Sequence, residues 1–280
     1  MRFALFPNMK KKEPKDIAVA IREFLHLYGA ETYAEEGVCQ EIGAKCLSTV
    51  APEKIDILVS LGGDGTILRL MHRHPELKAP VLGINMGGLG FMADTTMQDF
   101  TSSLQVILKG QYGIQERLMI EGITEKGERC FAVNDLVIHR ASNPCLVELS
   151  IHVDGFYLNT FSADGLIIST PSGSTAYSLA AGGPILSPTL EALVITPICP
   201  HTISNRPIVL LPKTEIAIRY DSEHDPAEIT YDGFGQYKMG TGETFKIVVS
   251  DRKFRLVTLP QTDFFATLRT KLEWAGMLKS

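Results

Sequence analysis

The sequence is poor in cysteine, carries no excess of basic charge and has no long hydrophobic run, and each shortage excludes something. The five cysteines, Cys39, Cys46, Cys130, Cys145 and Cys199, are odd in number and form no C-x-x-C pair. A disulfide framework is therefore not expected, and a reducing compartment is. Cys39, Cys46, Cys130 and Cys199 read as small hydrophobic residues. The formal net charge of −5 argues against non-specific nucleic-acid binding, which needs a basic face. The one basic run, Lys10 to Lys12, is broken by Glu13 and reads as a solvated turn. No apolar stretch approaches the ~18 residues of a membrane span, and the N-terminus lacks a signal-peptide core. A cytoplasmic protein with neither membrane nor nucleic-acid partner is expected.

With 280 residues, 45% of them apolar and 21% charged, the chain has room for one large domain or two ordinary ones. Over residues 1–110, strand-like and helix-like segments alternate. FALF (3–6), ETYAEE, KIDILVSL (54–61) and APVLGIN (79–85) have strand character. PKDIAVAIREFLHLYG (14–29), VCQEIGAKCL, a segment from about Thr66 to His74 and TMQDFTSSLQVILKG (96–110) have helical spacing. This order predicts an α/β domain with an open, mostly parallel sheet and helices on both faces. From 111 to 261 short strand-like runs, the last of them FRLVTLP, are broken by Gly, Asp, Asn and Pro. They predict a larger, mainly β second domain. An amphipathic helix over 262–280 is expected to pack back on the first domain.

Four motifs carry chemistry. In VSLGGDGTILRL (59–70), Gly62, Gly63 and Gly65 permit close backbone approach ahead of a helix N-terminus. Asp64 stands among them, where it would either cap the helix or, beside a metal-neutralised phosphate, accept a hydroxyl proton. Arg69 could return positive charge to the same place. GINMGGLGFMAD (83–94) matches a dinucleotide fingerprint in spacing only, since no strand ends in an acid about 20 residues on. It reads as a second glycine turn at the carboxyl edge of the sheet. NDLVIHR opens on Asn134 and Asp135, and reads as either a turn or a ligand contact. DGLIISTPSGSTAYSLAAGGPI (164–185) joins a buried strand to a hydroxyl-rich turn and a short helix, with Tyr177 offered for stacking. Equally, Tyr177 could be core and the hydroxyls could be caps. His72 and His74 lack metal-ligand spacing, and no G-x-S-x-G elbow occurs.

In this order GGDGT, GINxGxLGF, Asn-acid and DGLIxSTPxGSTAYSxxAGGPI resemble the NAD kinase family, as do PICPHTISNRPIVL, the DG of TYDGFGQ and the terminal TKLEW. The resemblance covers nearly the whole chain. The STPSGSTAYS block is its specific part, because lipid kinases and phosphofructokinases share GGDG. It implies transfer of the γ-phosphoryl of ATP, with Mg²⁺, to the 2′-hydroxyl of the adenosine ribose of NAD⁺. Donor phosphates would lie on the amides of Gly62, Gly63 and Gly65. The catalytic carboxylate would be Asp64, with Gly65 beside it against the acceptor. Asn134 and Asp135 occupy the family's Asn-Glu site, Asp164 would bind toward the nicotinamide side, and Thr175, Ala176, Tyr177, Ser178, Leu179 and Ala180 would line the adenosine subsite. A homo-oligomer, dimer or tetramer, is also implied. This chain departs from the pattern at Asp135 (usually Glu), at Cys145 (often Arg) and in DGFGQ, whose two extra residues precede the ligand candidate Gln236. The rival readings are a GGDG-type lipid kinase, which would need an apolar acceptor cleft, and a non-catalytic NAD(P)-binding sensor.

Overall fold

The computed structural model describes residues 1–9, 12–201, 205–223, 225–260 and 262–274. Two compact units result, Met1–Gln115 with Arg255–Ser280, and Glu116–Phe254.

In the first unit the strands are β1 (Arg2–Pro7), β2 (Glu31–Ala34), β3 (Lys45–Cys46), β4 (Ile57–Leu61), β5 (Val81–Asn85), β6 (Thr95–Thr96) and β7 (Gly113–Arg117). Their sheet runs β3-β2-β1-β4-β5, continues to β20 (Phe254–Thr258) and β7, and carries β6 beside β5. The pairs β1–β2, β1–β4, β4–β5 and β5–β20 are parallel. β4 and β5 are buried at every residue, as strands covered on both faces must be. Side chains two apart share a face. Phe3 and Leu5, Ile57, Val59 and Leu61, and Leu82 and Ile84 pack in one cluster with Ala18, Ile21 and Leu25 of α1 (Lys12–Leu27). Into the same cluster come Cys39 and Ile42 of α2 (Val38–Ile42) and Leu104 and Ile107 of α4 (Phe100–Leu108). Outside that cluster, α3 (Asp64–Arg73) buries Ile67, Leu68, Leu70 and Met71.

The second unit holds two antiparallel sheets. One runs β12 (Phe156–Ala163), β11 (Val147–Val153), β16 (Ile216–Tyr220), β19 (Thr244–Val249), β8 (Ile120–Ile123) and β9 (Arg129–Ala132). The other runs β15 (Ile208–Leu210), β14 (Leu193–Ile198), β13 (Gly165–Ser169), β10 (Asp135–His139), β17 (Ala227–Tyr231) and β18 (Gly235–Met239). Asp154 and Gly155, both at positive φ, make the tight β11–β12 turn that an Asp-Gly pair favours. Alternate residues of both sheets, among them Leu136, Ile138, Leu166 and Ile168 against Leu149, Ile151, Ile218 and Phe245, fill a single core. Among the described residues of this unit, α5 (Tyr177–Ala180) is the α-helix, preceded by a 3-10 turn at Ser172–Thr175.

Several boundaries differ from expectation. FRLVTLP, assigned by its composition to the β domain, is β20 and pairs parallel with β5 of the first sheet. A lone apolar run carries no signal for which sheet accepts it. VCQEIGAKCL is helical only to Ile42, where Gly43 at positive φ turns the chain into β3. That turn brings Cys39 and Cys46 together as a disulfide with Cα atoms 5.3 Å apart, which corrects the expectation of unpaired cysteines. A C-x6-C spacing has no recognised framework, so only the turn reveals the pair. Cys130 is buried, whereas Cys145 and Cys199 are free and exposed. Of the terminal segment, α6 (Phe264–Lys271) is capped by the Asp263 carboxylate, and its Phe264 ring lies 6.2 Å from Phe91. Residues 202–204, within the family-like PICPHTISNRPIVL, and 275–280, the end of the expected terminal helix, fall outside the described residues. No described helix is long and apolar enough to cross a membrane.

Leu149 is fully buried between the two β sheets. Leu149→Ala is expected to destabilise the protein by about 2–5 kcal/mol, read from the shift in urea unfolding midpoint.

Candidate functional site

In each unit a polar constellation is organised by a carboxylate resting on consecutive backbone amides. In the first unit β4 ends at Leu61, Gly63 is the extended N-cap residue and α3 begins at Asp64. The Asp64 side chain does not cap its own helix. It turns to the loop after β5, where Oδ2 accepts from the Phe91 amide at 2.8 Å and Oδ1 accepts from Met92 and Ala93 at 3.0 and 2.9 Å. A Cβ at Gly90 would lie 2.2 Å from Asp64 Oδ1, so only glycine admits the carboxylate there. The second glycine motif is therefore the seat of the first motif's acid. Asn85, unnoticed in the sequence, holds that loop in shape: its amide donates to the Gly88 and Ala93 carbonyls, and its oxygen accepts from the Gly87 amide. Gly63 and Gly65 are exposed and Gly62 is buried. Arg69 lines a neighbouring cavity of about 500 Å³ with Thr66, Arg73, Glu35, Glu36 and Asn8.

The second unit contains a cavity of about 580 Å³ lined by Asn134, Asp135, Asp164, Ala176 and Tyr177, among others. Its floor is set by Asp232, a residue sequence reasoning used only as part of a DG pair. Held at positive φ, Asp232 accepts from the amides of Val133, Asn134 and Asp135 at 2.8, 2.7 and 3.2 Å. From the other side, Thr170 binds the Val133 carbonyl through its hydroxyl and the Asn134 carbonyl through its amide. Gly173 packs so closely that a Cβ would fall 2.2 Å from the Asn134 oxygen. Thus β10, the STPSGST turn and the β17–β18 turn are stitched into one surface.

The stitching leaves the Asn134 Oδ1 buried with no partner among the described residues, at the cavity wall. Burial, reinforced by the Asp232 charge, pushes the Asp135 carboxyl up to about 7. Asp164 pairs with Arg140, Nε to Oδ1 at 2.7 Å, and its carbonyl accepts from the Arg140 amide. Arg140, the cation of this cavity, went unremarked in the sequence because a lone Arg at a strand end has no distinguishing pattern. Burial raises the Tyr177 phenol, yet 46% of the residue is exposed and its ring is open to a stacking partner.

Other expected ligand residues lie elsewhere. The Ser178 hydroxyl is fully buried and bonded to Thr196 at 2.9 Å. Thr175 binds the Ser172 carbonyl at 3.3 Å, and Ser174 braces Pro171 and Leu186. Most hydroxyls of this turn serve the turn itself. Leu179, Ala180 and Gln236 are not in the cavity lining, and Gln236 pairs with Thr230 across β17–β18. Among the described residues no group of three His, Cys, Asp or Glu side chains converges as a metal site.

Because folding raises the Asp135 carboxyl from its ordinary 3.8 to about 7, the folded state holds a proton that the unfolded chain releases. Its contribution to stability is full below pH 3.8 and is lost as pH rises through 7. Urea unfolding of the parent at pH 5 and pH 8 should differ by up to about 2.5 kcal/mol more than in Asp135→Asn, which has no proton to lose.

The family models of the ATP-NAD kinase N-terminal domain and C-terminal domain match residues 5–112 and 133–259. An NAD kinase of Protochlamydia amoebophila (strain UWE25) is 54% identical over 276 residues, 99% of each chain. One from Geotalea daltonii is 38% identical over 281 residues, 98% of each. Among solved structures, yeast NADH kinase complexed with NADH superposes with a TM-score of 0.87 at 25% identity, covering 100% of this chain and 89% of that one. An NAD kinase from Archaeoglobus fulgidus in complex with ATP gives 0.77 at 25% identity, covering 96% and 99%. With both domain models matched in order and relatives aligned end to end, the chain belongs to the NAD kinase family.

Proposed function

We propose that the protein is an ATP-dependent NAD⁺ kinase, transferring the γ-phosphoryl of ATP to the 2′-hydroxyl of the adenosine ribose to give NADP⁺. The observation that carries this reading is the cavity of the second unit, whose lining unites the hydrogen-bonding and charged groups of Asn134, Asp135, Arg140 and Asp164 with Ala176 and Tyr177. Such a wall suits a base, a ribose and an amide, and does not suit the acyl chains of a lipid. The Tyr177 ring would stack on adenine, the Asn134 oxygen would accept from an amino group, and Asp164 would face the nicotinamide end. The intact donor loop argues against a pure sensor.

In the first unit the exposed Gly63 and Gly65 would offer their amides to the donor phosphates, and Arg69 would add charge from α3; the Gly62 amide, expected to join them, instead donates to the Ile84 carbonyl at 3.0 Å. Mg²⁺, when bound with the triphosphate, would neutralise its charge, and a phosphate-held ion needs few protein carboxylates. Asp64 would act on the acceptor hydroxyl. An ionised carboxylate offers about four acceptor positions, and the amides of 91–93 take two on Oδ1 and one on Oδ2. The remaining position on Oδ2 can accept the hydroxyl proton while the amides keep the group from rotating. Orientation then contributes more than basicity, in keeping with a loose phosphoryl-transfer transition state. Exposed Phe156 and Tyr157 on edge strand β12 and Val209 on edge strand β15 support assembly of a dimer or tetramer through the β unit.

Purified protein with ATP, Mg²⁺ and NAD⁺ should form NADP⁺, detected with an NADP-specific dehydrogenase, and should not phosphorylate diacylglycerol vesicles. Asp64→Asn is expected to lower turnover by at least ~10²-fold while calorimetry still detects NAD⁺ binding. Near-normal turnover in that variant would remove Asp64 from the mechanism.

A further inference from the structure

The Cys39–Cys46 disulfide lies beside the cavity that Arg69 lines, next to Val38 of its wall, and its two ends are tied to the backbone of Ala34 and Glu35. The Cys39 amide donates to the Glu35 carbonyl at 2.9 Å. Cys46, on β3, pairs in register with Ala34, the residue before Glu35. Glu35 in turn holds Arg73 at 3.0 Å and His74 at 2.6 Å, and it lines the cavity with Glu36 and Arg69. The covalent bond thus fixes the backbone that carries Glu35, whose carboxylate engages Arg73 at the cavity and His74 behind it.

The bond is poorly placed for a purely structural role. It spans a sequence separation of 7, the short-loop limit at which a crosslink constrains the unfolded chain least. The other three cysteines are free, so the chain is not built on disulfides. Cys39 is 1% exposed while Cys46 is partly open, which leaves one sulfur accessible to an attacking thiol.

We propose that Cys39–Cys46 is a reversible thiol–disulfide site that controls ATP affinity by fixing Glu35 in the donor cavity. The proposal rests on the reading that this unit binds the donor nucleotide. A thiolate of the glutathione class attacks Cys46 Sγ, the Sγ–Sγ bond breaks, and the Cys39 sulfur leaves as a thiolate that takes up a proton. A second thiolate attacks the mixed disulfide, releases the oxidised small-molecule disulfide and frees Cys46. Two small-molecule thiols are oxidised for each protein disulfide reduced, and the reverse sequence restores the bond. In the oxidised state the Glu35 carboxylate occupies Arg73 and opposes the triphosphate by like charge. Reduction releases α2 from β3, so that Arg73 is freer to meet the phosphates.

The test uses the full-length protein equilibrated across ratios of reduced to oxidised glutathione, quenched with iodoacetamide and digested for peptide mass analysis. Cys39 and Cys46 should be protected together at oxidising ratios and alkylated together at reducing ones. Over the same ratios KM for ATP should fall about three- to fivefold on reduction, the scale of one exposed ion pair, with KM for NAD⁺ and kcat unchanged. The double variant Cys39→Ser/Cys46→Ser should show the reduced-state KM and no redox response, and Glu35→Gln should lower KM in the oxidised protein. Alkylation of both cysteines at every ratio overturns the proposal, as does an equal KM in both states or a response that survives in the double variant. ATP binding by calorimetry runs in parallel. If no NADP⁺ forms in either state, the kinase reading fails, while the alkylation and calorimetry still decide whether the disulfide controls nucleotide binding.

Discussion

A carboxylate seated on three successive backbone amides is the interaction on which both units depend. Asp64 rests on residues 91–93 in the first, and Asp232 rests on residues 133–135 in the second. Each joins a turn to a loop distant in sequence. Hydrogen bonds to an ionised acceptor contribute about 1.5–3 kcal/mol apiece, more than the neutral bonds that hold most turns. Backbone amides also have no rotamers to lose, so the acid they hold is placed with little entropic cost.

The consequence for the first unit is that the two glycine motifs form one object. The negative charge in the GGDGT turn is balanced by the dipoles of the next loop, while Gly63 and Gly65 of the turn stay exposed and the Gly62 amide is bonded to the Ile84 carbonyl. Gly90 provides the room and Asn85 the shape. In the second unit the same device has a different effect. Asp232 satisfies the backbone of the Asn-Asp pair but crowds the Asp135 side chain with a second carboxylate in a buried wall, which favours the neutral form. The Asn-to-acid pair thus offers the cavity an unpaired amide oxygen and a carboxyl that readily keeps its proton.

Local patterns made much of the fold legible. Helical spacing of Ile17, Ala20, Ile21, Phe24 and Leu25 and the largely apolar runs of β4 and β5 announced a parallel sheet covered on both faces. The broken short strands announced the β unit. The donor loop and the Asn134, Asp135, Asp164 and Tyr177 positions were legible through their order along the chain. Asn85, Arg140 and Asp232 were not, because each acts across the fold on partners that its neighbours in sequence do not reveal.

By itself the sequence determined which residues could bind phosphate, which were apolar enough to be strands, and which family the chain resembles. All of these depend on residue type and near spacing. Only the tertiary structure decided where the charges and hydroxyls point. It turned Asp64 away from its own helix, spent Ser174 and Ser178 on internal bonds, joined Cys39 to Cys46, and returned β20 to the first sheet. Those outcomes depend on which backbone groups lie within about 3 Å of a side chain, and that is decided by strands and turns far apart in sequence.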